Sequence, residues 1–219
     1  MRNGIAVLAA SLSIATPSCG GHRADAGMTD DFSDAERWAA RFEGPDRDGW
    51  QRPQEVIALM EIAPGSTAAD LGAGTGYFLP HLSRAVGPSG RVLALDIAQS
   101  LVDYMNERAE REGLDNATAV LVAPDDPGLA PGSVDRILIV NTWHHIEDRE
   151  AYASRLREAL APGGAVFVVD FTLETDKGPP AKHKISERDV AAELEAGGLS
   201  AEVLEESLPD QYAVVGRLP

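Results

Sequence analysis

The 219-residue chain is poor in cysteine, in basic residues and in long apolar runs. Its only cysteine is Cys19, so an intrachain disulfide is excluded. Lys and Arg number 19 against 35 Asp and Glu, a formal net charge of −16. Phosphate backbones are bound by clustered Lys and Arg, so this balance argues against DNA, RNA and anionic membrane surfaces as partners. No apolar run is long enough for a spanning helix; the one from residue 4 to 16 is too short. No internal repeat is visible. What remains is 44% hydrophobic and 25% charged residues, the composition of one globular domain with a full core.

The richest stretch is Asp70-Leu71-Gly72-Ala73-Gly74-Thr75-Gly76-Tyr77. Small residues at 66–69 before it read as a buried strand, and 78–86 after it reads as a helix. A strand, a glycine turn and a helix aim backbone N–H groups and a helix N-terminus at a ligand. Glycines let the chain turn sharply and let the ligand lie against it. A dinucleotide fingerprint, G-x-G-x-x-G, would need glycine where Tyr77 stands. The alternation Asp-x-Gly-x-Gly-x-Gly instead resembles the first motif of the class I S-adenosylmethionine-dependent methyltransferases. That resemblance implies S-adenosylmethionine as cofactor, its methionine end held by Asp70, Gly72, Ala73, Gly74, Gly76 and Tyr77.

Along the chain, short helices are expected over 34–42 and 54–61, with a loop over 44–53 between them. Strands follow at 91–96, 117–122, 134–140 and 165–171, alternating with helices at 100–112 and 149–160. Ser100 is a candidate cap for the first of these helices and Gly113 ends it. A mobile loop over 172–186 leads to a helix at 187–196 and a closing strand pair at 199–207 and 211–217. Alternating strands and helices give an α/β fold: a doubly wound, seven-stranded, mainly parallel sheet with helices on both faces. Leu95-Asp96-Ile97, Gly132-Ser133-Val134-Asp135 and Leu160-Ala161-Pro162-Gly163-Gly164 extend the same resemblance from about Trp50 to Arg217.

In such sheets ligands bind beyond the carboxyl ends of the strands. Asp96, about 20 residues after the glycine turn, is placed to accept from ribose hydroxyls, a spacing that serves NAD and S-adenosylmethionine alike. The resemblance implies that Ile97 packs on the adenine, that Asp125 or Asp126 accepts from its amino group, and that Asn141 to His145 reach cofactor and acceptor. His144 and His145 are candidate general bases, with Asp170 in reserve; a zinc site or a purely structural pair are the alternatives. No metal is expected. His183, between Lys182 and Lys184, could touch an anionic acceptor or form a solvated basic patch. The activity implied is methyl transfer to a small-molecule acceptor. A non-catalytic, lipid-anchored binding protein is the alternative, and a nicotinamide oxidoreductase, lacking the third glycine and a Tyr-x-x-x-Lys pair, the remoter one.

The N-terminus, Met1-Arg2-Asn3 followed by an apolar run and Pro17-Ser18-Cys19-Gly20, resembles a bacterial lipoprotein signal. The expected division is a signal over 1–18, a linker over 19–33 and the methyltransferase domain over 34–219. Lipidation at Cys19 would place the protein in the cell envelope. Initiation at Met28 would leave it in the cytoplasm.

Overall fold

The computed structural model describes Met1 and residues 34–219. The expected signal, the Cys19 anchor, the linker and Met28 lie outside the described residues. Three short helices, α1 (Ala35–Phe42), α2 (Arg47–Gln51) and α3 (Pro53–Leu59), precede the first strand. Then come β1 (Thr67–Leu71), α4 (Leu79–Val86), β2 (Arg91–Asp96), α5 (Gln99–Glu112), β3 (Ala117–Leu121), β4 (Val134–Val140), α6 (Arg149–Ala159), β5 (Leu160–Phe171), α7 (Glu187–Ala196), β6 (Ser200–Val203) and β7 (Gln211–Arg217). Among the described residues, no helix is long and apolar enough to cross a membrane.

The strands form one sheet in the order β3-β2-β1-β4-β5-β7-β6. Strands β1 to β5 pair in parallel, while β7 runs antiparallel to both β5 and β6. The order reverses between β1 and β4, and the carboxyl ends of those two strands open the crevice where doubly wound sheets bind ligands.

Strand periodicity decides what faces that crevice from each side. Successive side chains alternate between the two faces of a strand. Ala69 and Leu71 of β1, Ile137 and Ile139 of β4, and Val166 and Val168 of β5 pack in one core with α6 and α7. Ala68, Leu138, Val140, Phe167 and Val169 pack in the opposite core with α3 and α4. By the same alternation Asp70 and Asp96 stand on the α3–α4–α5 face, and Asp170 on the α6–α7 face.

Several boundaries differ from the sequence reading. The first strand reaches Leu71, because parallel pairing with both β2 and β4 continues past Asp70. The 44–53 loop contains α2, closed by Arg52 in a left-handed conformation with Pro53 starting α3. Ser100 does not cap α5; the N-cap is Ala98, without a side-chain cap bond. The Pro162-Gly163-Gly164 segment is an irregularity inside β5, between the pairs Val134–Leu160 and Arg136–Ala165, rather than a break before it. The 172–186 segment is tied down: Thr175 Oγ1 and Lys177 Nζ both donate to Asp210, and Tyr212 O–H donates to the Ile185 carbonyl.

At the switch point the turns after β1 and β4 touch. Gly72 has φ +68°, and a Cβ there would lie 2.3 Å from Thr142 Cγ2. Gly72→Ala is therefore expected to lower stability by roughly 2–4 kcal/mol in urea unfolding, from left-handed strain plus overpacking. Adding Thr142→Gly should recover the overpacking share and leave the strain.

Candidate active site

The glycine turn is folded back on β2. Gly72 and Ala73 N–H groups both donate to the Leu95 carbonyl, and Gly72, Gly74 and Gly76 all have positive φ. Gly74 N–H donates to Asp96 Oδ2 at 2.9 Å, while Ala98 N–H donates to Asp96 Oδ1 at 3.0 Å. Each carboxylate oxygen keeps a lone pair for a further donor. Burial holds the Asp96 carboxyl above its ordinary range, against these backbone donors.

Asp70 is the more demanding group. It is 2% exposed, and its Oδ2 is buried without a hydrogen-bond partner among the described residues. Burial raises its pKa to about 7, with Asp96 adding to the rise and Arg47 opposing it. An orphaned, buried acceptor beside a turn of open backbone suits a ligand that brings its own donor. The methionine ammonium of S-adenosylmethionine is such a donor, and the residues present fit that cofactor.

The N-terminal helices cover this turn, where the sequence pattern gives only a helix and a separate loop. Phe42 packs over Gly74, 3.7 Å from where a Cβ would stand. Glu43 Oε1 accepts from Thr75 Oγ1 at 2.7 Å and from Arg108 at 2.6 Å. Tyr77 O–H donates to Asp48, and the Arg47 guanidinium lies 3.8 Å from the Tyr77 ring centroid. Further out, Ile97 is 55% exposed and Leu121, paired with Asp96 in register, is 48% exposed. Together they leave an apolar surface beside Asp96 that a planar base can cover. Asp125 and Asp126 are both exposed on the turn after β3. Asp126 Oδ1 accepts from Gly128 N–H, and Arg155 reaches the Asp125 carbonyl, so this turn is built around its own bonds.

Beyond β4, Asn141 takes a left-handed conformation, φ 54°. Its side chain closes a ring of three amides: Gln51 donates to Gln211, Gln211 to Asn141, and Asn141 to Gln51 at 2.6, 2.5 and 3.4 Å. Gln51 and Gln211 are buried, so α2 and the start of β7 lock the post-β4 turn. Trp143 is buried and donates to Glu193, which Arg149 also binds. These anchors present His144, whose Nδ1 lies 2.8 and 3.0 Å from the two Asp170 oxygens. Both side chains are nearly inaccessible, at 3% and 4%. A carboxylate on Nδ1 makes that nitrogen the donor and leaves Nε2 as the acceptor. His145 is exposed and packs against His144, ring centroids 4.2 Å apart and planes tilted by 40°.

His144 borders a cleft of about 490 Å³ lined also by Arg149, Lys182, His183, Lys184 and Glu193. The sheet thus gathers Asp70, the glycines and Asp96 on one side of the switch point, and His144 with Asp170 on the other. No cluster of three metal-ligating side chains occurs among the described residues. Sequence reasoning missed Arg47, Leu121, Gln51 and Gln211. The sequence pattern gives 44–53 as a loop, and nothing local says that it folds back on the sheet.

A family described as methyltransferase domain matches residues 68–164. A ubiquinone/menaquinone biosynthesis C-methyltransferase of Hydrogenovibrio crunogenus is 27% identical over 127 residues, 58% of this chain and 49% of that protein. A protein-L-isoaspartate O-methyltransferase of Aeropyrum pernix is 30% identical over 116 residues, 52% of this chain and 42% of that protein. The chain spans between about a quarter and a half of the length of the curated relatives it matches. Among solved structures, a SAM dependent methyltransferase from Aquifex aeolicus is 27% identical, with TM-score 0.78 over 85% of this chain and 99% of that one. Residues 68–164 thus match a methyltransferase domain, and the seven-stranded sheet around them has the Rossmann-like fold of S-adenosylmethionine-dependent methyltransferases.

Proposed function

We propose that the chain methylates a small-molecule acceptor whose nucleophile needs deprotonation, with His144 as general base. The observation that carries this reading is the buried His144–Asp170 pair, whose histidine borders the 490 Å³ cleft. That volume suits a small ligand. A carboxylate that fixes the tautomer and supports the imidazolium is the arrangement a general base requires. The relatives leave the acceptor class open, since one is named for quinone biosynthesis and another for a protein.

When bound, S-adenosylmethionine supplies a methyl group already activated by a positive sulfur. The chain's own work is placement and proton removal. The turn from Gly72 to Gly76 offers backbone against which the cofactor lies, and Asp96 holds the ribose. Asp70 receives the ammonium. Thr142, packed on Gly72, couples the cofactor turn to the segment that carries His144. His144 Nε2 then takes the acceptor's proton while Asp170 holds Nδ1.

Three outcomes test this. Asp96→Ala is expected to weaken S-adenosylhomocysteine binding by about 10- to 150-fold by calorimetry, from loss of a charged hydrogen bond. An unchanged affinity removes Asp96 from the site. Once an acceptor is found by screening phenols, enols and carboxylic acids for S-adenosylhomocysteine release, His144→Ala should lower kcat by about 100-fold or more. Its cofactor affinity should stay within about threefold; wild-type turnover in that variant rejects the base.

The third outcome follows from the raised carboxyl of Asp70. A folded-state pKa of about 7 lies above the ordinary carboxyl value of 3.8, so the folded protein holds the extra proton between them. Stability of the ligand-free protein should therefore fall as pH rises from about 4 to about 7. Cofactor binding should follow the opposite trend, tightening as pH rises from 6 to 8, because the ammonium needs the carboxylate. Asp70→Asn should flatten both profiles; a wild-type pH dependence in that variant assigns the proton elsewhere.

A further inference from the structure

Arg47 is a charge without a hydrogen-bonded counter-charge among the described residues. It is partly buried, and burial works against its cationic form. Among the described residues it makes no ion pair. Nη1 donates to the Phe42 carbonyl at 2.8 Å, and Nη2 reaches Gln51 Oε1 at 3.4 Å, both neutral acceptors. Its Nε is buried with no hydrogen-bond partner. The carboxylates near it are engaged elsewhere: Asp48 by Tyr77, Glu43 by Thr75 and Arg108. Tyr77, the last residue of the glycine turn, holds the guanidinium over that turn by a cation–π contact.

The two orphaned polar atoms in the described residues are Arg47 Nε and Asp70 Oδ2. One belongs to a cation and one to an acid, and both border the glycine turn. A buried arginine is stabilised by a carboxylate that can accept its planar fork. Asp70 does not serve as that partner within hydrogen-bond distance, yet the two are near enough for Arg47 to favour the charged form of Asp70. A ligand carrying an ammonium and a carboxylate on one carbon satisfies both groups at once.

We propose that Arg47 binds the α-carboxylate of the cofactor's methionine moiety, opposite the α-ammonium at Asp70. This rests on the reading of the glycine turn as the cofactor site. It makes α2 part of that site rather than a cover over it. It also gives the Gly49-Trp50-Gln51-Arg52-Pro53 stretch a purpose, since Gln51 both accepts from Arg47 and joins the amide ring that holds Asn141.

The test is calorimetry on the full chain with two probes, S-adenosylhomocysteine and 5′-methylthioadenosine, the second lacking the amino-acid end. Arg47→Met should weaken S-adenosylhomocysteine by about 10- to 150-fold and leave 5′-methylthioadenosine within about threefold. Arg47→Lys should recover part of the loss. A ligand-side comparison avoids any folding defect: wild type should prefer S-adenosylmethionine over its decarboxylated form by a similar factor. Equal affinity of wild type for those two ligands, or of Arg47→Met and wild type for S-adenosylhomocysteine, overturns the assignment. So does a parallel loss of both probes, which would mean that Arg47 only fastens α2. If wild type binds neither S-adenosylhomocysteine nor 5′-methylthioadenosine, the cofactor reading itself falls, a result distinct from insensitivity to Arg47.

Discussion

A carboxylate with an unsatisfied oxygen at the centre of a sheet is an unfavourable thing to fold around. Asp70 stands there because β1 is the strand at which the order reverses, and its alternation sends position 70 toward the α3–α4 face. Everything near it manages that group. The glycine turn passes beside it with open backbone, and Asp96 is pulled onto the Gly74 N–H rather than toward a second carboxylate. Arg47 supplies positive potential from above. On the proposed reading, the cofactor's ammonium completes this arrangement.

The second half of the site is independent of that charge and lies on the other face. His144 and Asp170 meet because β4 and β5 are parallel neighbours, with Val140 paired to Val169. The residues just past those pairs end at one height on the crevice wall. Trp143, seated in the α6–α7 core and tied to Glu193, keeps the short turn after β4 from swinging away. The two halves are joined where Thr142 packs against Gly72, so neither turn can shift without the other.

The helices before β1 do more than extend the fold. Glu43 bridges Thr75 and Arg108, so α1 is latched to both the glycine turn and α5. Gln51 reaches 160 residues along the chain to Gln211, and through it to Asn141. One short segment thus touches the glycine turn directly and, through Gln211, the turn after β4. It is the part of the molecule where a substitution can act on both turns without changing the sheet.

Local pattern in the sequence determined the alternation of strands and helices, the glycine turn, and the acids at strand ends. These depend on periodicity, on glycine's access to positive φ, and on spacing within about twenty residues. Boundaries moved where pairing outlasted propensity, as at Leu71 and Leu160. Tertiary structure alone decided which of the two faces each acid stands on, and that Asp170 pairs with His144. It also decided that Arg47, Gln51 and Gln211 enter the site. Those contacts join residues 26, 160 and 70 positions apart. No short-range regularity encodes such distances; they follow from strand order, which is fixed only when the whole sheet closes.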